Sequence, residues 1–139
     1  MRRLLTTAML ALTALLTGCA TDTHHASSLQ ATLNAYSSTL RWGDFTSALE
    51  YVDPKWRAAH PLSSIELSRY EQVRVSSYES GQGPVPVSDD EVNQVAQIGI
   101  INRNTQRERT IIDRQTWVYD PVVKHWWLET GLPDITQGD

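Results

Sequence analysis

Hydrophobic positions along the chain fall into three regimes. From Leu4 to Leu16 they form one apolar run broken only by threonines, from Leu29 to Val52 they recur at helical spacing, and beyond Tyr70 they alternate with polar residues. In the second regime Leu29, Leu33, Tyr36 and Leu40 stand at i, i+4, i+7 and i+11, one stripe of a helix that begins at Ser28. Gly43 is expected to end it as a left-handed cap. Asp44 then reads as the N-cap of a second helix that buries Phe45, Ala48, Leu49 and Val52. Asp53-Pro54 stops that helix and starts another turn, since proline suits the first helical position. Ser63-Ser64-Ile65-Glu66 fits a capping box and predicts a third helix around residues 64–69.

In the third regime Val73 and Val75 alternate with Arg74 and Ser76, a strand ending near Tyr78. Gly81-Gln82-Gly83-Pro84-Val85-Pro86 reads as a loop, because its prolines cannot continue a ladder. Val92–Ile101 and Arg109–Tyr119 are expected strands joined by a turn at Asn102–Gln106. Asp120-Pro121 turns the chain into a last strand, Lys124–Thr130. Helices followed by an antiparallel meander make an α+β domain over residues 28–132, N-terminal helices packed on a curved antiparallel sheet, with residues 133–139 as a C-terminal tail. Tyr36 and Leu40 leading into Trp42-Gly43-Asp44-Phe45, then Ala48-Leu49 and Asp53-Pro54, resemble the nuclear-transport-factor-two-like superfamily. So do Gln115-Thr116-Trp117-Val118 and Lys124-His125-Trp126-Trp127-Leu128 near the end. The resemblance implies a cone-shaped fold, and its isomerases and dehydratases place Asp, His or Tyr inside the cone. Many members have no activity, so it gives no warrant for catalysis here.

The first regime has a different meaning. Arg2 and Arg3 precede the apolar run, which is too short for a membrane-spanning helix of about 20 residues and fits the core of a secretory leader. Leu16-Thr17-Gly18-Cys19 follows directly and resembles the lipobox of bacterial lipoproteins, in which the cysteine thiol takes a diacylglyceryl group. Residues 1–18 are therefore expected to be a lipoprotein signal peptide and Cys19 a lipid anchor, with residues 19–27 a polar tether. Two or more acyl chains anchor stably where one binds only marginally. Ala20 follows the cysteine, where aspartate would resemble an inner-membrane retention signal. The expected location is the cell envelope, at the outer membrane facing the periplasm if the organism is Gram-negative.

Charge narrows the partners. The formal net charge of −4 becomes more negative when Arg2 and Arg3 leave with the leader. An acidic domain without a basic run is a poor nucleic-acid binder, because phosphate contacts dominate that affinity. Cys19 is the single cysteine, so no internal disulfide is available.

Candidate chemistry is sparse. Tyr36 lies on the apolar stripe of its helix and reads as core. Asp44 reads as a cap, and His60, before Pro61, as an exposed loop histidine. Asp113 stands mid-strand between Ile112 and Arg114, where aspartate is depleted. It is expected on the solvent face, paired with an arginine of a neighbouring strand. His24-His25 in the tether lacks zinc-ligand spacing, Asp89-Asp90-Glu91 lacks the pattern of a calcium loop, and Gly81-Gln82-Gly83 runs into Pro84 rather than a helix. No metal, cofactor or catalytic residue is expected. The five tryptophans are the unusual feature. Neighbouring strand residues point to opposite faces, and Trp126 with Leu128 resembles the inward Trp-x-aliphatic pattern that closes the superfamily's final strand. The resemblance implies Trp126 and Leu128 against the helices and Trp127 with Glu129 outside. The expected function is non-enzymatic: a membrane-anchored domain that binds an envelope protein partner or forms a homodimer through its sheet, with Tyr36, Asp113 and Trp127 as candidate pocket or interface residues. Small-molecule binding inside the cone is the alternative, and an isomerase- or dehydratase-like enzyme ranks behind both.

Overall fold

The computed structural model describes residues 19–138. Residues 1–18, expected to be a signal peptide, lie outside the described residues. The chain divides into two compact units, one ending at Ala31 and one beginning at Thr32. Helix α1 runs Cys19–Trp42, so the segment expected to be a tether is helical. Its serines fit the helix because Ser27 and Ser28 turn their hydroxyls back onto the His24 and His25 carbonyls, at 3.1 and 2.9 Å. Leu29, Leu33, Tyr36 and Leu40 are all buried, as the stripe predicts.

Gly43 is not left-handed. It donates its N–H to the Thr39 carbonyl at 2.9 Å, and a Cβ there would stand 2.7 Å from that oxygen. Close approach, not positive φ, calls for the glycine. The expected second α-helix is a 3₁₀ turn, η1 (Ser47–Tyr51), and Asp44 Oδ1 accepts from Ser47 N at 2.6 Å just before it. Helix α2 (Pro54–Ala59) is capped by Asp53, whose carboxylate accepts from Trp56 N. Helix α3 (Ser64–Glu71) carries both hydrogen bonds of the capping box between Ser63 and Glu66.

Five strands follow: β1 (Val73–Glu79), β2 (Val85–Ser88), β3 (Glu91–Asn102), β4 (Glu108–Asp120) and β5 (His125–Leu128). They form one curled antiparallel sheet ordered β1-β3-β4-β5, with β2 also paired to β3. Strands β1 and β2 share one edge of β3, β1 along residues 97–102 and β2 along 91–93. Strand β2 corrects the expected loop at Gly81–Pro86. Pro86 is accommodated because β2 pairs only with β3 and its register slips between Pro86 and Ser88. The fold is α+β, helices with a curled antiparallel sheet.

The inner face of the sheet carries Val92, Ala96, Ile98 and Ile100 of β3 and Ile111 and Trp117 of β4, all buried. Tyr36 meets Trp117 edge-on with ring centroids 5.2 Å apart. Asp53 N donates to the Leu128 carbonyl at 2.9 Å, which ties the start of α2 to β5. The expected C-terminal tail, residues 133–139, is packed as far as it is described. Ile135 is buried, Tyr70 donates its hydroxyl proton to the Pro133 carbonyl at 3.0 Å, and Arg109 donates to the Ile135 carbonyl. The Gln137 side-chain amide exchanges two hydrogen bonds with the Ile112 backbone, at 3.1 and 3.0 Å, as a neighbouring strand residue would.

Candidate functional site

The sheet brings the candidate residues to two places, one on each face. On the inner face β3 and β4 run in unbroken register, with Gln94 opposite Gln115 and Ala96 opposite Asp113. Asp113 is only 6% exposed. The expected solvent-face pairing with an arginine is therefore wrong. Odd positions of β4 face inward with Trp117, and Asp113 shares their parity, whereas Ile112 and Arg114 point outward.

Around Asp113 the polar groups form a connected set. Gln115 Nε2 donates to Asp113 Oδ2 at 2.7 Å and to the Tyr78 hydroxyl at 3.0 Å. Gln115 Oε1 accepts from Trp117 Nε1 at 3.0 Å and from Gln94 Nε2 at 3.2 Å. Because an indole N–H can only donate, the Gln115 oxygen must face Trp117 and its amino group must face Asp113. Burial pushes the Asp113 carboxyl up to about 6, and the Gln115 hydrogen bond pulls the other way. Tyr36 is fully buried and its hydroxyl has no hydrogen-bond partner among the described residues. Burial first, and the Asp113 charge second, raise the Tyr36 phenol well above its ordinary value. Tyr36 belongs to the core as expected, yet it leaves one orphaned polar atom near a buried carboxyl.

Burial favours the protonated form of Asp113, and neither Asp113 nor Gln115 lines the clefts near Asn102 and Arg109. These two clefts measure about 560 and 380 Å³. A general acid needs a shifted pKa and a reachable substrate, and the cluster meets the first requirement only.

The outer face differs in chemistry. Val95 of β3 is 45% exposed, Val85 of β2 58% and Ile112 of β4 36%. Val85 lies opposite Asn93, Gln97 opposite Ile112, and Val95 opposite Arg114, so these residues share one surface. A hollow of about 290 Å³ opens among Gly81, Gly83, Val85, Asn93 and Val95. Trp127 lies opposite Val118 on this same face. It is half-buried and lies edge-on to His125 with centroids 4.3 Å apart. Trp126 and Leu128 are buried on the inner face, sharing one face as their parity predicts and facing inward as the resemblance implies.

Other candidates resolve simply. Asp44 is an exposed capping residue whose carboxyl is lowered by the Ser47 backbone hydrogen bond. His60 is exposed, with Nδ1 3.0 Å from the Trp56 carbonyl. Cys19 is described as the first residue of α1. Among the described residues no group of three or more His, Cys, Asp or Glu converges to hold a metal ion, and no helix is long and apolar enough to cross a membrane. Sequence reasoning missed the inward Gln94 and Gln115, which Trp117 parity would have revealed. It also took Trp42 as part of a packing motif, whereas Trp42 is 80% exposed beneath the Arg41 guanidinium, which stands 5.2 Å from its ring centre. Compared with known protein families, with characterised proteins and with solved structures, the chain matches none.

Proposed function

We propose that this chain is a lipoprotein of the bacterial cell envelope, anchored through Cys19, whose domain is a non-enzymatic protein-binding module. The outer face of its sheet engages an envelope partner or a second copy of the chain. The observation that carries this reading is the exposed aliphatic surface of Val85, Val95 and Ile112, on the same face as Trp127. Contiguous exposed apolar surface marks interaction sites, and antiparallel sheets commonly pack face to face. The anchor rests on Leu16-Thr17-Gly18-Cys19 after a short apolar run. We further propose kinship with the nuclear-transport-factor-two-like superfamily, supported by helices leading into a curled antiparallel sheet and by the tryptophan motifs of β4 and β5. The outer membrane, periplasmic side, is the proposed location in a Gram-negative cell.

Two experiments test this. Radiolabelled palmitate should enter the wild type and not Cys19→Ser; label in both, or in neither, removes the anchor. Sedimentation of the detergent-solubilised full chain should show a larger species, alone or with a co-purified partner, that Val95→Lys dissolves without lowering the melting midpoint. A second reading, small-molecule binding inside the curled sheet, is favoured by the orphaned Tyr36 hydroxyl beside Asp113. It predicts that a ligand alters the titration of Asp113.

A further inference from the structure

A third place in the domain matches neither face of the sheet. Between η1, α2, α3 and the loop after β5 lies a cleft of about 280 Å³, walled by Leu49, Leu62, Leu67 and Leu132 and by the Trp56 ring. Gly131 holds a left-handed φ of 76°, and a Cβ there would overlap the Trp56 ring. The indole is thus seated against bare backbone, and His60 stacks on it at 4.3 Å with 22° between the planes. Arg57, His60 and Tyr70 are the polar residues of the lining, and none of its residues is acidic. The Tyr70 hydroxyl is engaged by the Pro133 carbonyl and His60 Nδ1 by the Trp56 carbonyl. Arg57 Nε, in contrast, is buried and has no hydrogen-bond partner among the described residues. A buried guanidinium nitrogen left in that state is costly unless an acceptor is supplied.

We propose that this cleft binds a small apolar monocarboxylate, its aryl or short alkyl group among the leucines and Trp56 and its carboxylate on Arg57. An apolar chamber lined by a guanidinium whose buried Nε lacks an acceptor among the described residues selects for that chemistry: the walls contribute burial of the apolar group, and a guanidinium matches a carboxylate bidentately. The volume, at the small end for a ligand pocket, suits a single ring or short chain rather than a folded partner. His60 stands exposed at the rim, its ring held on Trp56 by stacking and by the contact of Nδ1 with the Trp56 carbonyl.

The test uses the full chain in lipid nanodiscs, with empty nanodiscs as the blank, and ¹⁹F NMR of 4-fluorophenylacetate against the neutral 2-(4-fluorophenyl)ethanol. The carboxylate should broaden on the protein beyond the blank, be displaced by unlabelled phenylacetate, and bind at least about tenfold more tightly than the alcohol. Arg57→Gln should abolish that preference, bringing carboxylate binding down to the level of the alcohol. Equal binding of the two probes by the wild type would overturn the proposal without any variant. So would millimolar carboxylate behaving as in the blank, or an Arg57→Gln protein that keeps the preference.

Discussion

The two faces of the sheet invert the usual division of labour. The inner face, sealed from water, carries Gln94, Asp113 and Gln115 among its tryptophan and aliphatic residues, whereas the outer face exposes Val85, Val95 and Ile112. Each departure has its own physical consequence. Inside, the polar residues persist because Gln115 uses both ends of its amide, which leaves the Asp113 charge as the costly element. Outside, no comparable network competes with water, and the exposed aliphatics cost nothing to the isolated fold. They matter only when something covers them. The inner face therefore governs stability and its pH dependence, and the outer face is where the proposed association would act.

That division can be broken by substitution. The largest effect is expected at Trp126, buried on the inner face of the sheet against Tyr119. Trp126→Ala should leave a cavity and cost about 3–5 kcal/mol in urea melts, enough to unfold a marginal domain.

Next comes Asp113→Asn. The folded chain holds this carboxyl at about 6 against an ordinary 3.8, so the native state binds the proton more tightly than the unfolded one. Its contribution favours folding below about pH 4 and is lost as the pH rises through about 6. Asparagine does not titrate. Going from about pH 4 to about pH 7.5, the stability of Asp113→Asn should therefore gain on the wild type by on the order of 3 kcal/mol. A difference that stays constant with pH would place the carboxylate in water.

The smallest stability effect is expected for Trp127→Ala. Half-buried against His125, it should cost about 1–2 kcal/mol, clearly less than Trp126→Ala. Equal losses at the two tryptophans would mean that both sheet faces are covered within one chain.

How much of this was legible depends on how many signals agreed at each position. The α1 stripe and the capping box at Ser63–Glu66 were readable because spacing and residue type point the same way, whereas two adjacent tryptophans cannot choose their own faces, and the inward Trp126 was read from a resemblance. Asp113 was misread because Ile111 and Ile112 are both apolar and leave the parity of β4 open there, and residue type then argued for solvent. Only Trp117, two pairs further along the strand, sets the face. Strand β2 was hidden by Pro86, which an edge position tolerates. The packed segment after Pro133 depends on Tyr70, Arg109 and Ile112, contacts distant in sequence that no local pattern encodes. Trp42 belongs to a familiar motif yet stays exposed, since a motif gives proximity along the chain and not burial.

The central claim, that the outer face is the binding surface, is tested most directly by photo-crosslinking in living cells. A photoreactive benzoylphenylalanine replaces Val95 on the outer face or, in a separate protein, Val123 at the exposed β4–β5 turn. Val95 should give a discrete crosslinked species, either a dimer of the chain or an adduct with one envelope protein, while Val123 gives none. No adduct from Val95, or the same adducts from Val123, would contradict the account.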